Sequence, residues 1–107
     1  MTSFDKREEG FEKKFALDEE QKFKAEVRRN KLLGLWAAEK LGMSGDEASA
    51  YAKEVVSADF EEAGDQDVQN KVVKDFAAKG VAIAAAEVRV KMDELMALAA
   101  AQVKAGT

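Results

Sequence analysis

The sequence predicts an all-α protein, a four-helix bundle preceded by an N-terminal arm, and three observations carry that expectation. Every strong hydrophobic period in the 107 residues is helical, and no alternating run is long enough for a strand. The helical pattern breaks at Gly42, Gly64 and Gly80, and the chain contains no proline. The connections left at those breaks are only a few residues long, which makes sequential helices antiparallel neighbours. A chain of this length is one domain that can bury a core without metal or disulfide support. The expected division is an arm over 1–17 and a bundle over 18–107, with helices at about 18–41, 45–62, 66–79 and 84–104.

The arm carries Phe4, Phe11 and Phe15, whose spacings of seven and four place them on one face if the segment becomes helical. Asp5, Lys6, Arg7, Glu8, Glu9, Glu12, Lys13 and Lys14 make up the rest. Gly10 costs about 1 kcal/mol of helix propensity relative to alanine, so so short a helix is marginal alone and is expected to be mobile when free. Two readings of the residues stay open. The segment is either a frayed end whose phenylalanines fold back on the bundle, or an arm that orders on a partner with its aromatic stripe as anchor.

The first long helix organises the chain. Asp18, Glu19 and Glu20 suit the positive end of its dipole, and Gly42 stops it. Leu33, Ala37 and Leu41 share a broad face with Phe23 and Val27, while Leu32, Leu35 and Trp36 project elsewhere. A helix apolar nearly all round is the central member of a bundle or part of an interface. The stripe Phe23, Val27, Asn30, Gly34, Ala37, Leu41 narrows to small side chains, which allows another backbone to approach closely. Lys22, Lys24, Arg28, Arg29 and Lys31 form a charged flank.

Ser44 followed by Glu47 has the S-x-x-E pattern of a capping box and predicts the start of a second helix. Its inward face is Ala48, Tyr51, Ala52, Val55, Val56, Ala58 and Phe60. A short third helix, capped by Asp65 or Asp67, turns Val68, Val72, Val73 and Phe76 inward and stops at Gly80. The last helix presents Val88, Met92, Leu95, Ala99 and Val103, with Val81 and Ile83 packing ahead of it. Ala84 gives that helix no side-chain cap.

Composition removes most chemistry. The chain has no cysteine and no histidine, so it lacks a thiol nucleophile, a zinc-thiolate site, the commonest general base, and the Glu-x-x-His pairs of bundle di-metal sites. No phosphate loop or dinucleotide fingerprint is present. The expectation is a binding or regulatory module, not an enzyme, with no cofactor and no metal. A net charge of −4 argues against nucleic acid, and no apolar run is long enough for membrane insertion. Charge is nevertheless segregated. Residues 21–31 hold five basic side chains and one acidic, and residues 44–67 hold eight acidic and one basic. These blocks either pair within the fold or face different partners. Arg28, Arg29 and Lys31, with Trp36 nearby in sequence, are the candidates for a nucleotide or acidic-partner contact, and weak ADP or ATP binding is the alternative functional reading.

Several stretches carry a resemblance. Phe4-Asp5-Lys6-Arg7-Glu8, Phe11-Glu12-Lys13-Lys14-Phe15-Ala16, Phe23-Lys24-Ala25-Glu26, residues 28–42, Ala50-Tyr51-Ala52-Lys53-Glu54-Val55-Val56, residues 58–65 and Lys91-Met92-Asp93-Glu94-Leu95-Met96 resemble the zeta subunit family of the α-proteobacterial F1-ATPase. The likeness covers almost the whole chain in order. It implies an inhibitor of ATP hydrolysis by the rotary ATP synthase, cytoplasmic and peripheral to the inner membrane, and a monomer when free. It also implies that the arm enters a catalytic α/β interface and reaches the γ subunit of the stalk while the bundle anchors outside. In that reading Phe4, Phe11 and Phe15 are apolar anchors, and Asp5, Lys6, Arg7, Glu8, Glu12, Lys13 and Lys14 are polar contacts. The chain departs from the family pattern in having Leu17 where relatives often have a histidine, which removes a pH sensor, and Ala84 where they often have a serine cap.

Overall fold

The computed structural model describes residues 17–59 and 65–106. Four helices follow in order: α1 Glu19–Lys40, α2 Gly45–Ala58, α3 Gln66–Ala78 and α4 Ala85–Lys104. No strand occurs among the described residues. The expected arm falls almost wholly outside them, and so do residues 60–62, into which the second helix was expected to run. Within the described chain α2 ends at Ala58, with Asp59 as its C-cap.

Helix α1 is the hub, packing against α2, α3 and α4. Its Ala25, Leu33, Ala37 and Ala38 are fully buried, as expected of a helix that is apolar on several sides. Leu33, Ala37 and Ala38 meet Tyr51 and Val55 of α2, Val68, Val72 and Phe76 of α3, and Val88 and Met92 of α4 in one core. Phe76 is its largest fully buried side chain, and burying a phenylalanine contributes about 1.5–3 kcal/mol. Val81 and Ile83 pack against the same core ahead of α4. Arg28 on the early part of α1 reaches Gln102 near the end of α4, whereas Trp36 further along α1 lies beneath Lys91. Those two contacts make α1 and α4 antiparallel.

The small-residue stripe marks a close helix crossing. A Cβ built on Gly34 would stand 2.5 Å from the Ala52 Cα and 3.1 Å from its Cβ, so α1 and α2 touch backbone to backbone there. The stops also follow from chain chemistry. Gly42 and Gly80 have φ of +80° and +71°, a left-handed conformation that glycine adopts without a Cβ penalty and that ends helices.

Capping differs from expectation. Ser44 does occupy the N-cap of α2, yet its hydroxyl makes no capping hydrogen bond, so the S-x-x-E box is not formed. The box that does form belongs to α1. Asp18 Oδ1 accepts from the Gln21 backbone N–H at 2.7 Å, and Gln21 Oε1 accepts from the Asp18 N–H at 3.1 Å. Asp65 holds the N-cap position of α3 without capping it, because its carboxylate is used elsewhere. Ala84 leaves α4 without a side-chain cap, as its methyl group requires.

Phe23 was expected in the packed stripe and is instead 55% exposed. The reason is length. Helix α1 runs 22 residues whereas α2 and α3 run 14 and 13, so among the described residues the first turns of α1 lie beside the end of α4 and beyond the reach of α2 and α3.

Candidate functional site

The residues assigned to partner contact separate into three places. Phe4, Asp5, Lys6, Arg7, Glu8, Phe11, Glu12, Lys13, Lys14 and Phe15 lie outside the described residues. The arm joins the bundle at half-buried Leu17 and the Asp18 cap.

Arg28 and Lys31 line a surface groove of about 580 Å³ between the first half of α1 and the end of α4, together with Phe23, Lys24, Val27 and Val103. Its floor is aromatic and aliphatic, and its rim is cationic. Lys24 pairs with Glu20 at 3.4 Å, both side chains well exposed, and such a pair contributes little to stability. Arg28 Nη1 donates to Gln102 Oε1 at 3.4 Å across the groove end.

Arg29, grouped by sequence with Arg28 and Lys31 on a charged flank, is instead turned into the fold. Its residue is only 5% exposed. Nε donates to Asn30 Oδ1 at 2.9 Å, and Nη1 donates to Asp65 Oδ2 at 3.3 Å. Arg89 of α4 donates to the same oxygen at 2.9 Å and to Gln69 Oε1 at 2.7 Å. One carboxylate at the start of α3 thus ties α1 to α4. The basic and acidic blocks of the sequence pair inside the fold at this point. Trp36 is also internal in its role: it stands edge-on to Phe76, ring centroids 5.7 Å apart, with the Lys91 ammonium 5.7 Å from its ring. Arg28, Arg29, Lys31 and Trp36 therefore do not converge on one ligand site.

The hydrogen bond from Arg89 holds the Asp65 carboxyl below its ordinary value of 3.8, against the opposing effect of burial, with the Arg89 and Arg29 charges adding to the lowering. A carboxyl depressed in the folded state contributes stability that is fully present above its unfolded pKa. That contribution is lost as pH falls through the folded pKa. Asp65→Asn should accordingly lower the urea midpoint at pH 7, and the gap between variant and parent should narrow below about pH 4. Equal gaps at both pH values would assign the loss to packing alone.

A second polar cluster fixes α2 to α3. The Tyr51 hydroxyl donates to Asp75 Oδ2 at 2.7 Å, and Lys71 Nζ approaches the same oxygen at 3.1 Å. Burial pushes the Tyr51 phenol up, and the bond to Asp75 and the charges of Asp75 and Glu54 push it further. Its proton stays on, so Tyr51 acts as a donor that orients one side chain.

These clusters are structural, and the described carboxylates form no group of three suited to a metal ion. The family model described as ATPase inhibitor subunit zeta matches residues 1–102. The chain belongs to that family. Membership makes its role regulatory, an inhibitor of ATP synthase acting on the F1 sector, and the span matched includes the arm. A protein solved by solution NMR is similar to this chain at 60% sequence identity, with a TM-score of 0.69 and coverage of 79% of this chain and 96% of its own. The curated proteins give no match. No described helix of this zeta-family chain is long and apolar enough to cross a membrane.

Among features that the sequence alone did not expose are Arg89, the pairing of Asp65 with Arg29 and Arg89, and the groove itself. The signal for Arg29 was weak but present, since it is one of two adjacent arginines on a helix whose next residue, Asn30, is fully buried.

Proposed function

We propose that this chain restrains ATP hydrolysis through residues 1–17, which seat Phe4, Phe11 and Phe15 at a catalytic α/β interface of F1 and reach the γ subunit, while the four helices anchor outside and block rotation. The observation that carries this reading is that the family match begins at residue 1 and so takes in the aromatic stripe Phe4, Phe11 and Phe15. The polar residues Asp5, Lys6, Arg7, Glu8, Glu12, Lys13 and Lys14 fix the arm's orientation. The protein works as a monomer in the cytoplasm, held at the inner membrane only through the synthase, with no cofactor and no contact with nucleic acid or lipid.

The test is ATP hydrolysis by the cognate F1-ATPase over a dilution series of each variant, with helicity measured in parallel. Phe11→Ala and Phe15→Ala should weaken inhibition by more than tenfold, as about 2 kcal/mol at a buried aromatic anchor requires. Glu9→Ala should change it by less than about threefold, since a rim charge contributes little. The loss should appear as faster release, because affinity differences among variants of one interface lie mostly in the off-rate. Equal effects at all three positions would remove the aromatic-anchor reading.

A nucleotide-sensing bundle is the alternative. Lys24, Arg28 and Lys31 around the groove favour it, and the diversion of Arg29 and Trp36 into the fold counts against it. Titration with ATP and with isolated F1-ATPase separates the two, the first reading requiring tight binding to the enzyme.

A further inference from the structure

Three large apolar side chains of α1 and α4 face outward: Leu35 is 37% exposed, Val90 57% and Leu98 46%. They belong to two matching ridges. On α1, Lys24, Val27, Lys31 and Leu35 follow one another at spacings of three, four and four, and on α4 Glu87, Val90, Glu94 and Leu98 do the same. Such spacing keeps each set on one helix face. Val27 is half-buried and the other seven are exposed. Both ridges border the seam between the two helices. Val27 and Lys31 share the groove with Val103 of α4, and Glu94 pairs at 3.0 Å with Lys91, whose ammonium lies over Trp36 of α1.

We infer that a second copy of this chain covers this face, in a two-fold pairing that lays the α1 ridge of each copy along the α4 ridge of the other. Within one copy α1 and α4 are antiparallel, so a two-fold axis perpendicular to their seam sets α1 parallel to the partner's α4. The contacts of Arg28 with Gln102 and of Trp36 with Lys91 fix the relative heights of the two helices. They put Leu33 and Met96 at about one level, close to the middle of the seam. An axis through that level brings Lys24 to the partner's Glu87, Val27 to the partner's Val90, Lys31 to the partner's Glu94 and Leu35 to the partner's Leu98. Each pair occurs twice by symmetry.

Charge and apolar surface therefore match in a single register. A slip of one turn sets Lys24 against Val90 and Val27 against Glu94, which leaves charges facing valines and removes the match. The present pairs of Lys24 with Glu20 and of Glu94 with Lys91 involve well-exposed side chains, so exchanging or sharing those partners costs little. Eight residues a side fall short of the roughly 20–30 of a stable complex. The pair accordingly forms at high concentration and separates on dilution, which leaves the single copy as the form that reaches the enzyme and makes the pair a storage form. The inference goes beyond the reading of residues 1–17 as the inhibitory element and does not depend on it.

Sedimentation equilibrium of the full chain tests it. The weight-average mass should climb from one copy toward two between about 10 µM and about 1 mM. Lys31→Glu sets like charge against the partner's Glu94, and Glu94→Lys sets like charge against the partner's Lys31, so each variant alone should pair about tenfold more weakly. An equal mixture of the two variants restores both ion pairs across the axis and should associate as the parent does. A purely structural effect of either substitution would not be rescued by mixing. Leu98→Asp should weaken pairing in every combination. Helicity is compared with the parent throughout, and Lys24→Glu with Glu87→Lys makes the same exchange if the first two variants disturb the helices. A mass of one copy at every concentration overturns the inference. So does association that persists in both single variants, which places the contact elsewhere on the chain, and so does a mixture that fails to pair. Failure of residues 1–17 as the inhibitory element reads out separately, in the hydrolysis assay, and leaves these masses unchanged.

Discussion

Deletion of residues 1–17 is expected to abolish inhibition of ATP hydrolysis while leaving the four helices folded. Every fully buried apolar side chain among the described residues lies at or beyond Ala25, so the bundle keeps its core when the arm is gone. The cut also preserves the Asp18 carboxylate that accepts from Gln21, which costs about 0.5–2 kcal/mol to remove from a helix start. The new terminal amine sits at the positive end of α1, an unfavourable but small term of about 0.3–1 kcal/mol. The urea midpoint should therefore fall only slightly. Inhibition should be lost altogether, since the truncated chain lacks Phe4, Phe11 and Phe15, the aromatic stripe of the arm. The measurement is hydrolysis by the cognate F1-ATPase with full and truncated chains at matched helicity. A truncated chain that inhibits as well as the parent would move the inhibitory surface onto the bundle.

Gly34→Leu should destabilise the bundle more than any other single change considered. The first added carbon already stands 2.5 Å from the Ala52 Cα, a backbone atom that cannot swing aside. Val55 closes the same space at 3.3 Å. Overpacking of a core position costs about 1–3 kcal/mol, occasionally more, and here the helices must separate before the rest of the leucine finds room. Gly34→Ala is the sharper control. Alanine gains up to about 1 kcal/mol of helix propensity, so a lower midpoint for that variant isolates the clash between α1 and α2. An unchanged or raised midpoint for either variant would show that the crossing can open without loss.

The helical architecture was legible because periodicity and helix stops are local. The glycines at 42 and 80 end helices for a reason contained in their own backbone angles. The small-residue stripe on α1 announced a close approach, and Gly34 against Ala52 is that approach. What escaped the sequence depended on distant partners. Arg29 looks like its neighbours Arg28 and Lys31, and only Asp65, 36 positions later, turns it inward. Phe23 fits the apolar stripe by spacing, but spacing says nothing about where neighbouring helices stop. Ser44 and Glu47 have the residue types of a capping box, yet the bonds form at Asp18 and Gln21, a pattern masked by reading Asp18 as one more charge at a helix dipole. Of the candidate site, the aromatic stripe of the arm is a reading of spacing that falls outside the described residues, while the groove required α1 and α4 to be placed side by side.

The pairing of α1 with α4 also sets the order in which the chain can be completed. The hub helix is made early and its last partner is made at the far end of the domain. A nascent chain that has emerged only as far as Gly80 holds α1 against α2 and α3, with the side destined for Val88 and Met92 still bare. The bundle therefore closes late, and any product truncated before α4 presents an apolar seam to chaperones and proteases. Only a chain in which Ala85–Lys104 has been made becomes a folded carrier for the arm.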